Sequence, residues 1–549
     1  MDRRLALALL LSGLAVVVSS MLFPPAPRRP PVARVARDTS VASLPVPPPV
    51  AGHPLSADTV PQPAPNPRAA GDTVTIETSK ATYHFTTIGA SPIGVRLRDY
   101  KALNRDSGSV QLVRDSVPLL AFRLISGRDT IALDRVAFSS SGASTTGSNP
   151  DSLVFSAPTS AGDITLAYRF QSDGYLLQLE GHVPTAVGEL VITLPRGLRS
   201  EEANIEDDRR YLAFAVKPIR DDARSVGFSK LDSAERRQET GPFTWVASKN
   251  KYFLLSLLTP ANTSQSFSRV HLVGGPRASG AAVNADAHVI LPVEQGQFSL
   301  EIYAGPQEWR RLRALGRDME HANPYGGFMK GVVQPFATIV MRALLWMHDT
   351  LRLSYGWVLV IFGVAVRIIL WPLNQRAMRS SLKMQAIQPE MAAIQKKYRN
   401  NPQKQQEEMV RIYREHGMSP FSMFSGCLPM LIPMPVLFAL FFVFQNTIEF
   451  RGVSFLWLAD ISLKDPFYIL PLIMGASMYV LSWIGMRNAP PNPQAKMMSY
   501  MFPVIMTVAL LNMAAGLNLY YAVQNFAALP QQWLIARERA RRTAPVPRR

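Results

Sequence analysis

An arginine inside an apolar run of membrane-spanning length is the residue of this sequence that points most clearly to chemistry. Arg367 lies in the run IFGVAVRIILWPLNQ, residues 361–375, within a stretch that is otherwise apolar from Tyr355 to Leu373. Nineteen residues of helix rise about 28 Å, enough to cross the hydrocarbon of a bilayer. A guanidinium stays protonated at physiological pH, and a central membrane arginine costs roughly 2.5–3.5 kcal/mol. The charge therefore needs a structural reason.

Two explanations for Arg367 remain open at the level of the sequence. None of the later apolar segments carries an Asp or Glu in its middle, so a buried ion pair is not expected. The side chain either snorkels to the cytoplasmic interface or faces a water-containing cavity among the helices. Neighbouring amides also hold membrane helices together, but beside an unpaired arginine they favour the wet cavity. These polar residues are Asn512, Asn518, Gln524 and Asn525, with Tyr520 and Tyr521 among them.

The rest of the chain offers no residue pattern typical of an enzyme. The histidines of residues 71–305 lack zinc-like spacing, and the single cysteine, Cys427, excludes an intrachain disulfide and a cysteine metal site. There is no phosphate-binding loop and no nucleophile–base pair. The acidic run SEEANIEDDRR is interpreted as a solvated loop. We therefore expect no enzymatic activity, no cofactor and no metal.

The elements that must position Arg367 follow from an uneven composition. The chain has 549 residues and a formal net charge of +18, with long apolar segments at its start and in its C-terminal third. Such segments are typical of an integral membrane protein. Much of the basic excess lies in loops between apolar segments and in the tail RERARRTAPVPRR. Because basic loops stay in the cytoplasm, this distribution predicts the topology.

The N-terminal half is predicted to contain an anchor, a linker and an exported domain. Residues 1–23 fit a signal peptide or an uncleaved anchor, and the lack of a small-x-small cleavage site favours the transmembrane anchor. Residues 24–70 hold 14 prolines and should form an extended, semi-rigid linker. Residues 71–305 alternate apolar and polar side chains between turn signals. This pattern predicts about a dozen strands in an all-β sandwich outside the membrane.

The C-terminal half is predicted to form the membrane core. Residues 306–354 are interpreted as a connecting helix and an interfacial amphipathic helix. Residues 355–535 carry the apolar runs, of which 498–534 is either one long helix or a hairpin. The basic tail, 536–549, is cytoplasmic only if that run crosses twice, with a turn near Met513–Gly516. The prediction is therefore a polytopic α-helical membrane protein of six spans, with both termini cytoplasmic and residues 24–354 periplasmic.

A cytoplasmic helical hairpin is predicted for residues 376–416. Ile387, Met391, Ile394 and Tyr398 form one apolar stripe, and the sequence NNP then breaks the helix. A second helix carries Met409, Ile412 and Tyr413. We expect the two stripes to bury each other, which leaves basic, glutamine-rich faces free to dock on a partner such as a ribosome.

Several segments in a fixed order carry a family resemblance. They are the arginine segment VRIILWPLNQ, the hairpin segment MQAIQPEM, and then CLPMLIPMPVLFALF, FYILPLIMGASM and GLNLYYAVQNF. In this order they resemble the YidC family of bacterial membrane protein insertases. The resemblance is most specific over residues 355–535, whereas the linker and the β domain are similar to those of the family only in the type of segment.

The resemblance implies a five-helix insertase core around a hydrophilic groove, open to the cytoplasm and to lipid and closed to the outside. It places the groove arginine at Arg367, client contacts at Leu437 and Met474, and the last-span tyrosines at Tyr520 and Tyr521. The amides Asn518 and Gln524 complete the candidate groove set. Gly363 and Pro433 stand where some relatives carry polar groove residues, so this groove is expected to be less polar or lined from other helices.

The resemblance also implies partners and a mechanism. The clients would be nascent membrane proteins, and hairpin 376–416 and the basic tail would meet the ribosome, the signal recognition machinery or the Sec translocon. A client's polar flank would be solvated beside Arg367 while its apolar part leaves into lipid. The rival hypothesis is a secondary transporter with a periplasmic binding domain, but its paired broken helices are absent from the sequence pattern. A scaffold that folds membrane proteins without inserting them cannot be distinguished by sequence.

Overall fold

The structure is a computed structural model that describes residues 71–543, apart from the gaps 105–107, 114–117, 142–151, 160–161, 172–173, 262, 279–280, 283, 324–329, 416–433 and 488–492. The predicted anchor (1–23), the linker (24–70), Cys427, Pro433 and the end of the tail (544–549) lie outside the described residues. The predictions made for these parts stay predictions.

The first part of the described chain consists almost entirely of strands. More strands are present than the dozen predicted, because strands of two to four residues give no readable sequence period. The strands are β1 Thr73–Glu77, β2 Ala81–Thr86, β3 Ser91–Lys101, β4 Ser109–Gln111, β5 Ala121–Ser126, β6 Asp129–Ala132, β7 Ser139–Ser141, β8 Ser152–Thr159, β9 Gly162–Phe170, β10 Leu176–His182, β11 Glu189–Leu194, β12 Ala213–Pro218, β13 Arg224–Gly227, β14 Arg236–Lys249, β15 Phe253–Leu258, β16 Phe267–Gly274, β17 Arg277–Ala278, β18 Ala281–Ala282, β19 Ala285–Pro292 and β20 Gln297–Pro306.

Two sheets face each other across one apolar core. The small sheet has the order β1-β2-β3-β4, and the 14-stranded sheet has the order β6-β5-β11-β19-β16-β14-β15-β20-β10-β9-β8-β7, with β12 and β13 joined through β14. The buried Phe85 of β2 has its ring centroid 4.8 Å from that of Tyr168 and 6.1 Å from that of Phe155, both on the large sheet. Burying such side chains contributes about 1.5–3 kcal/mol each. The predicted all-β sandwich is confirmed.

The prediction of a solvated acidic loop at SEEANIEDDRR is wrong for three of its five carboxylates. The exposed fractions of Glu201, Glu202 and Asp208 are 4%, 5% and 1%. Asp208 Oδ1 accepts a hydrogen bond from the backbone N–H of Lys251 at 3.1 Å, and both carboxylate oxygens of Glu202 accept from Arg451 at 2.9 Å. Buried carboxylates of this kind persist only with such partners. The partners come from distant parts of the chain, which no local pattern shows.

Helices make up the second part of the described chain. A short helix, α1 Ile205–Arg209, lies within the β region. The others are α2 Trp309–Ala314, α3 Lys330–Leu351, α4 Tyr355–Ala386, α5 Gln388–Lys397, α6 Pro402–Glu415, α7 Met434–Asn446, α8 Ile469–Met486, α9 Pro493–Leu510 and α10 Ala515–Thr543. The amphipathic helix predicted within 306–354 corresponds to α3, and its interfacial position stays a prediction.

Two of the described helices are long and apolar enough to cross a membrane. They are Tyr355–Arg376 within α4 and Ile469–Met486, and only 28% of each is buried inside the protein. Shorter apolar helices cover Val436–Gln445 and Lys496–Leu510. The run 498–534 breaks between Leu510 and Ala515, as predicted for a chain that turns near Met513–Gly516. The count of six spans remains a prediction.

Glycines let the membrane helices approach one another closely. A Cβ atom at Gly363 of α4 would lie 2.9 Å from Val523 Cγ1 of α10, and one at Gly475 of α8 would lie 2.1 Å from Thr507 Oγ1 of α9. Small residues at such contacts are typical of membrane helix packing, because lipid supplies no hydrophobic force between helices.

The predicted helical hairpin is present as α5 and α6, and its cytoplasmic position stays a prediction. Ile387 and Ile412 are 2% and 7% exposed and pack together with Met391 and Ile394. The chain between the two helices falls on the predicted NNP break. The two apolar stripes therefore bury each other, as the sequence predicted.

An outer loop, defined as residues 447–468, connects α7 to α8 and is held together by Asp465. This residue is fully buried; its Oδ2 accepts from Leu470 N–H at 2.7 Å and its Oδ1 accepts from Trp457 Nε1 at 3.2 Å. We expect Asp465→Ala to lower the free energy of unfolding by about 1–3 kcal/mol, because it removes a helix cap and leaves buried donors unpaired. Thermal unfolding in detergent measures this. Lys464→Ala, which truncates the exposed side chain next to Asp465, is the comparison, and an equal loss in both variants would contradict the capping role.

Candidate functional site

Arg367 projects from α4 toward α10 and is half-buried between the two helices. Its Nη2 donates to Oε1 of Gln531 at 2.9 Å. Gln531 is 1% exposed and donates in turn to the Trp371 carbonyl and to Gln375 Oε1, each at 3.2 Å. The arginine therefore has a neutral amide as its partner. Among the described residues, no carboxylate compensates its positive charge.

A second polar contact lies about one helical turn away on the same pair of helices. Gln524 Nε2 donates to the Gly363 carbonyl at 2.7 Å and to Tyr520 Oη at 3.0 Å. Because glycine has no side chain, α10 comes close enough to reach this backbone oxygen. Gly363 thus supplies a polar group through its carbonyl, even though its side chain adds none.

A cavity of about 350 Å³ opens beside Arg367, between α4 and α10. Its walls are otherwise apolar: Val364, Ile368, Trp371, Val523, Phe526 and Ala527. Ile368 and Phe526 are 64% and 53% exposed on the surface of the helices. The lining is therefore mostly apolar, and whether this cavity is the groove that the family resemblance implies stays a prediction. One permanent charge stands at an apolar opening between the two helices.

The other candidate groove residues do not line this cavity. Met474 and Asn518 are fully buried, and Asn518 Nδ2 donates to the Leu510 carbonyl at the end of α9. Tyr520 is 1% exposed, its ring centroid 6.2 Å from that of the partly buried Tyr521. Leu437 of α7 packs against the same helical core. These residues support the helices around the cavity, and their contact with a client stays a prediction.

Gln531 is the site residue that the sequence did not reveal. It follows Pro530 near the end of the last apolar run. The signal that could have found it is spacing. Tyr520, Gln524 and Gln531 are four and seven residues apart, which places all three on one face of a helix.

Comparison with known proteins agrees with this architecture. The family described as YidC periplasmic domain matches residues 73–339, and the family described as 60Kd inner membrane protein matches residues 346–542. The membrane protein insertase YidC of Pelodictyon phaeoclathratiforme is 31% identical over 406 residues, which cover 69% of this chain and 67% of that protein. This chain belongs to the YidC family of membrane protein insertases.

Further relatives define the extent of the match. The YidC insertase of Prosthecochloris aestuarii is 30% identical over 397 residues, so that the aligned part spans 66% of that protein and 68% of this chain. The crystal structure of YidC from Thermotoga maritima is 16% identical, with a TM-score of 0.28, and the match covers 84% of this chain and 99% of that one. As a YidC family member, the chain is an inner membrane protein with a periplasmic β domain and a helical membrane core.

Proposed function

We propose that this chain inserts newly made proteins into the inner membrane, and that clients enter through the cavity between α4 and α10. The observation that carries the proposal is Arg367, a half-buried charge whose partner within the described part of the chain is a neutral amide, beside an opening with apolar walls. A charge kept in a membrane helix at this cost is a functional site by default. An apolar client segment and its polar flank would find complementary surfaces there.

The mechanism follows from solvation. A client's polar flank exchanges water for Arg367 and the amides behind it, so it does not enter hydrocarbon unsolvated. Acidic groups in that flank are attracted to the guanidinium. The apolar segment then passes along Ile368 and Phe526 into lipid. Because Arg367 and its amides carry polar surface into the membrane, the client's polar flank has only a short apolar path left to cross. The step therefore needs no nucleotide or cofactor.

The finer architecture belongs to the same proposal. It comprises six spans with both termini cytoplasmic, a five-helix core around the cavity, and client contacts at Leu437, Met474 and Tyr521 during passage. Hairpin 376–416, which carries basic and glutamine-rich outer faces, and the basic tail would receive the ribosome, the signal recognition machinery or the Sec translocon. Exposed Lys396, Lys397 and Arg399 support this assignment, since ribosomal RNA is a polyanion.

Site-specific crosslinking to ribosome-bound nascent chains tests the proposal. A photoreactive residue at Phe526, which lines the cavity, is expected to give adducts with a short single-span client. The same residue at Leu472, which is 60% exposed on α8 and does not line the cavity, is the control. We expect at least a fivefold higher yield at position 526. Equal yields at both positions would contradict entry through this cavity, and a transporter would give no nascent-chain adduct at either.

A further inference from the structure

A buried ion pair joins the β domain to the outer loop of the helical core. Arg451 Nε donates to both carboxylate oxygens of Glu202 at 2.9 Å, and the exposed fractions of the two side chains are 4% and 6%. The guanidinium carbon also lies 5.4 Å from the ring centroid of Phe253 and 6.0 Å from that of Tyr252, both in the β domain. Arg451 is thus enclosed by the β domain although it belongs to the loop between α7 and α8.

The residues before Arg451 alternate between two hydrophobic cores. Ile448 is 3% exposed and packs in the core of the β domain. Phe450 is 1% exposed and packs in the helical core, its ring 4.6 Å from that of Phe444 on α7. The short segment 448–451 therefore packs against both cores and connects them, and Arg451 is the last residue of this segment.

Backbone hydrogen bonds continue from this segment to the start of α10. Ile461 N–H donates to the Val453 carbonyl at 2.9 Å, which closes the outer loop on itself. The Leu463 and Ile461 carbonyls then accept from Ala515 N–H at 2.6 Å and from Gly516 N–H at 2.9 Å. The first N–H groups of a helix have no partner within it. The outer loop supplies those partners for the helix that carries Tyr520, Gln524 and Gln531.

The Glu202–Arg451 pair is poorly explained as a source of stability alone. Burial raises the pKa of Glu202 to about 7, although the neighbouring Arg451 acts in the opposite direction. Removing two charges from water costs about as much as their attraction returns, so a buried pair is weak evidence for stability. What such a pair does provide is one buried arrangement, because the single Nε–H of Arg451 is shared between the two oxygens of the enclosed carboxylate.

We propose that Arg451 is a positioning residue for the insertion site: held by Glu202, it fixes the outer loop and hence the start of α10, so that the β domain determines how α10 faces Arg367. The expected effect on insertion rests on the proposed function, but the contacts that lead from Glu202 to the start of α10 do not. The β domain then holds the start of α10 in place, and we call this restraint the clamp.

Hydrogen–deuterium exchange of the full chain in lipid nanodiscs tests the clamp at pH 8, where Glu202 is ionised. We expect Glu202→Gln to raise exchange of the Ala515 and Gly516 amides at least fivefold, and Arg451→Lys to raise it by a smaller factor. The control is Asp286→Asn in the β domain, which removes a carboxylate from the exposed Arg196–Asp286 pair. It is expected to leave exchange at 515–516 unchanged. Increased exchange confined to the β domain in Glu202→Gln would overturn the proposal.

A double variant separates positioning from simple loss of structure. Glu202→Leu with Arg451→Met leaves neither partner buried alone, but it also has no directional bond, so we expect exchange at 515–516 to stay at least threefold above that of the unmodified chain. If the double variant exchanges within twofold of the unmodified chain, packing alone positions the loop and the pair does not act as proposed. The second readout is the crosslink from position 526, expected to fall at least threefold in Glu202→Gln and to stay low in the double variant. Absence of that crosslink in the unmodified chain would refute the proposed function, whereas the exchange result would still decide the clamp.

Discussion

Replacing Arg367 with glutamate is expected to reduce insertion of a small single-span client at least tenfold in cells depleted of their own insertase. The substitution removes the hydrogen bond to Gln531, and it presents a negative charge to acidic client flanks. A hydrogen bond to a charged group contributes about 1.5–3 kcal/mol, which corresponds to a roughly 10- to 100-fold change in the occupancy of the site by the client. Protease protection of a radiolabelled client measures the inserted fraction.

A graded series shows which property of Arg367 matters. Arg367→Lys keeps the charge but loses the planar donor, so it should retain part of the activity, and Arg367→Ala should lie between Lys and Glu. The matched control is Arg352→Glu, an exposed arginine just before the start of α4. It should insert the client normally. Equal insertion by Arg367→Glu and the unmodified chain would show that the charge has no role in insertion.

Gly475→Leu is expected to destabilise the helical core more than any other single change considered for α8. Even the Cβ atom would lie 2.1 Å from Thr507 Oγ1 and 3.2 Å from Thr507 Cβ, so α8 and α9 must separate. Overpacking of this kind costs about 1–3 kcal/mol and occasionally more. We expect the Tm in detergent to fall by about 5 °C or more. Thermal unfolding followed by tryptophan fluorescence measures the shift.

The neighbouring residue provides the control for this substitution. Ala476 is exposed on the surface of α8, so Ala476→Leu adds the same side chain without a clash. Its Tm should stay within about 2 °C of the unmodified chain, since exposed substitutions usually change stability little. If both variants unfold at the same temperature, the contact between Gly475 and Thr507 does not limit the packing of α8 on α9.

Local patterns predicted much of this molecule, and what they missed depends on distant contacts. The hairpin was readable because Ile387, Met391 and Ile394 repeat at helical spacing, and Arg367 was readable because a charge stands out in an apolar run. The burial of Glu202 was not readable, because its partner Arg451 lies 249 residues further along the chain. Gln531 was missed for a similar reason: its role depends on α4, a helix more than 140 residues before it.

The segment 448–451 also sets an order of events during synthesis. The last strand of the β domain ends at Pro306, so the strands are complete before the ribosome has made Ile448 and Arg451. At typical rates of about 5–20 residues per second, the interval is roughly 7–30 s. During that time the exported domain lacks the side chain that completes its core, and Glu202 lacks its cation. Assembly of the two halves is therefore a late step, completed only after the outer loop that follows α7 has been made.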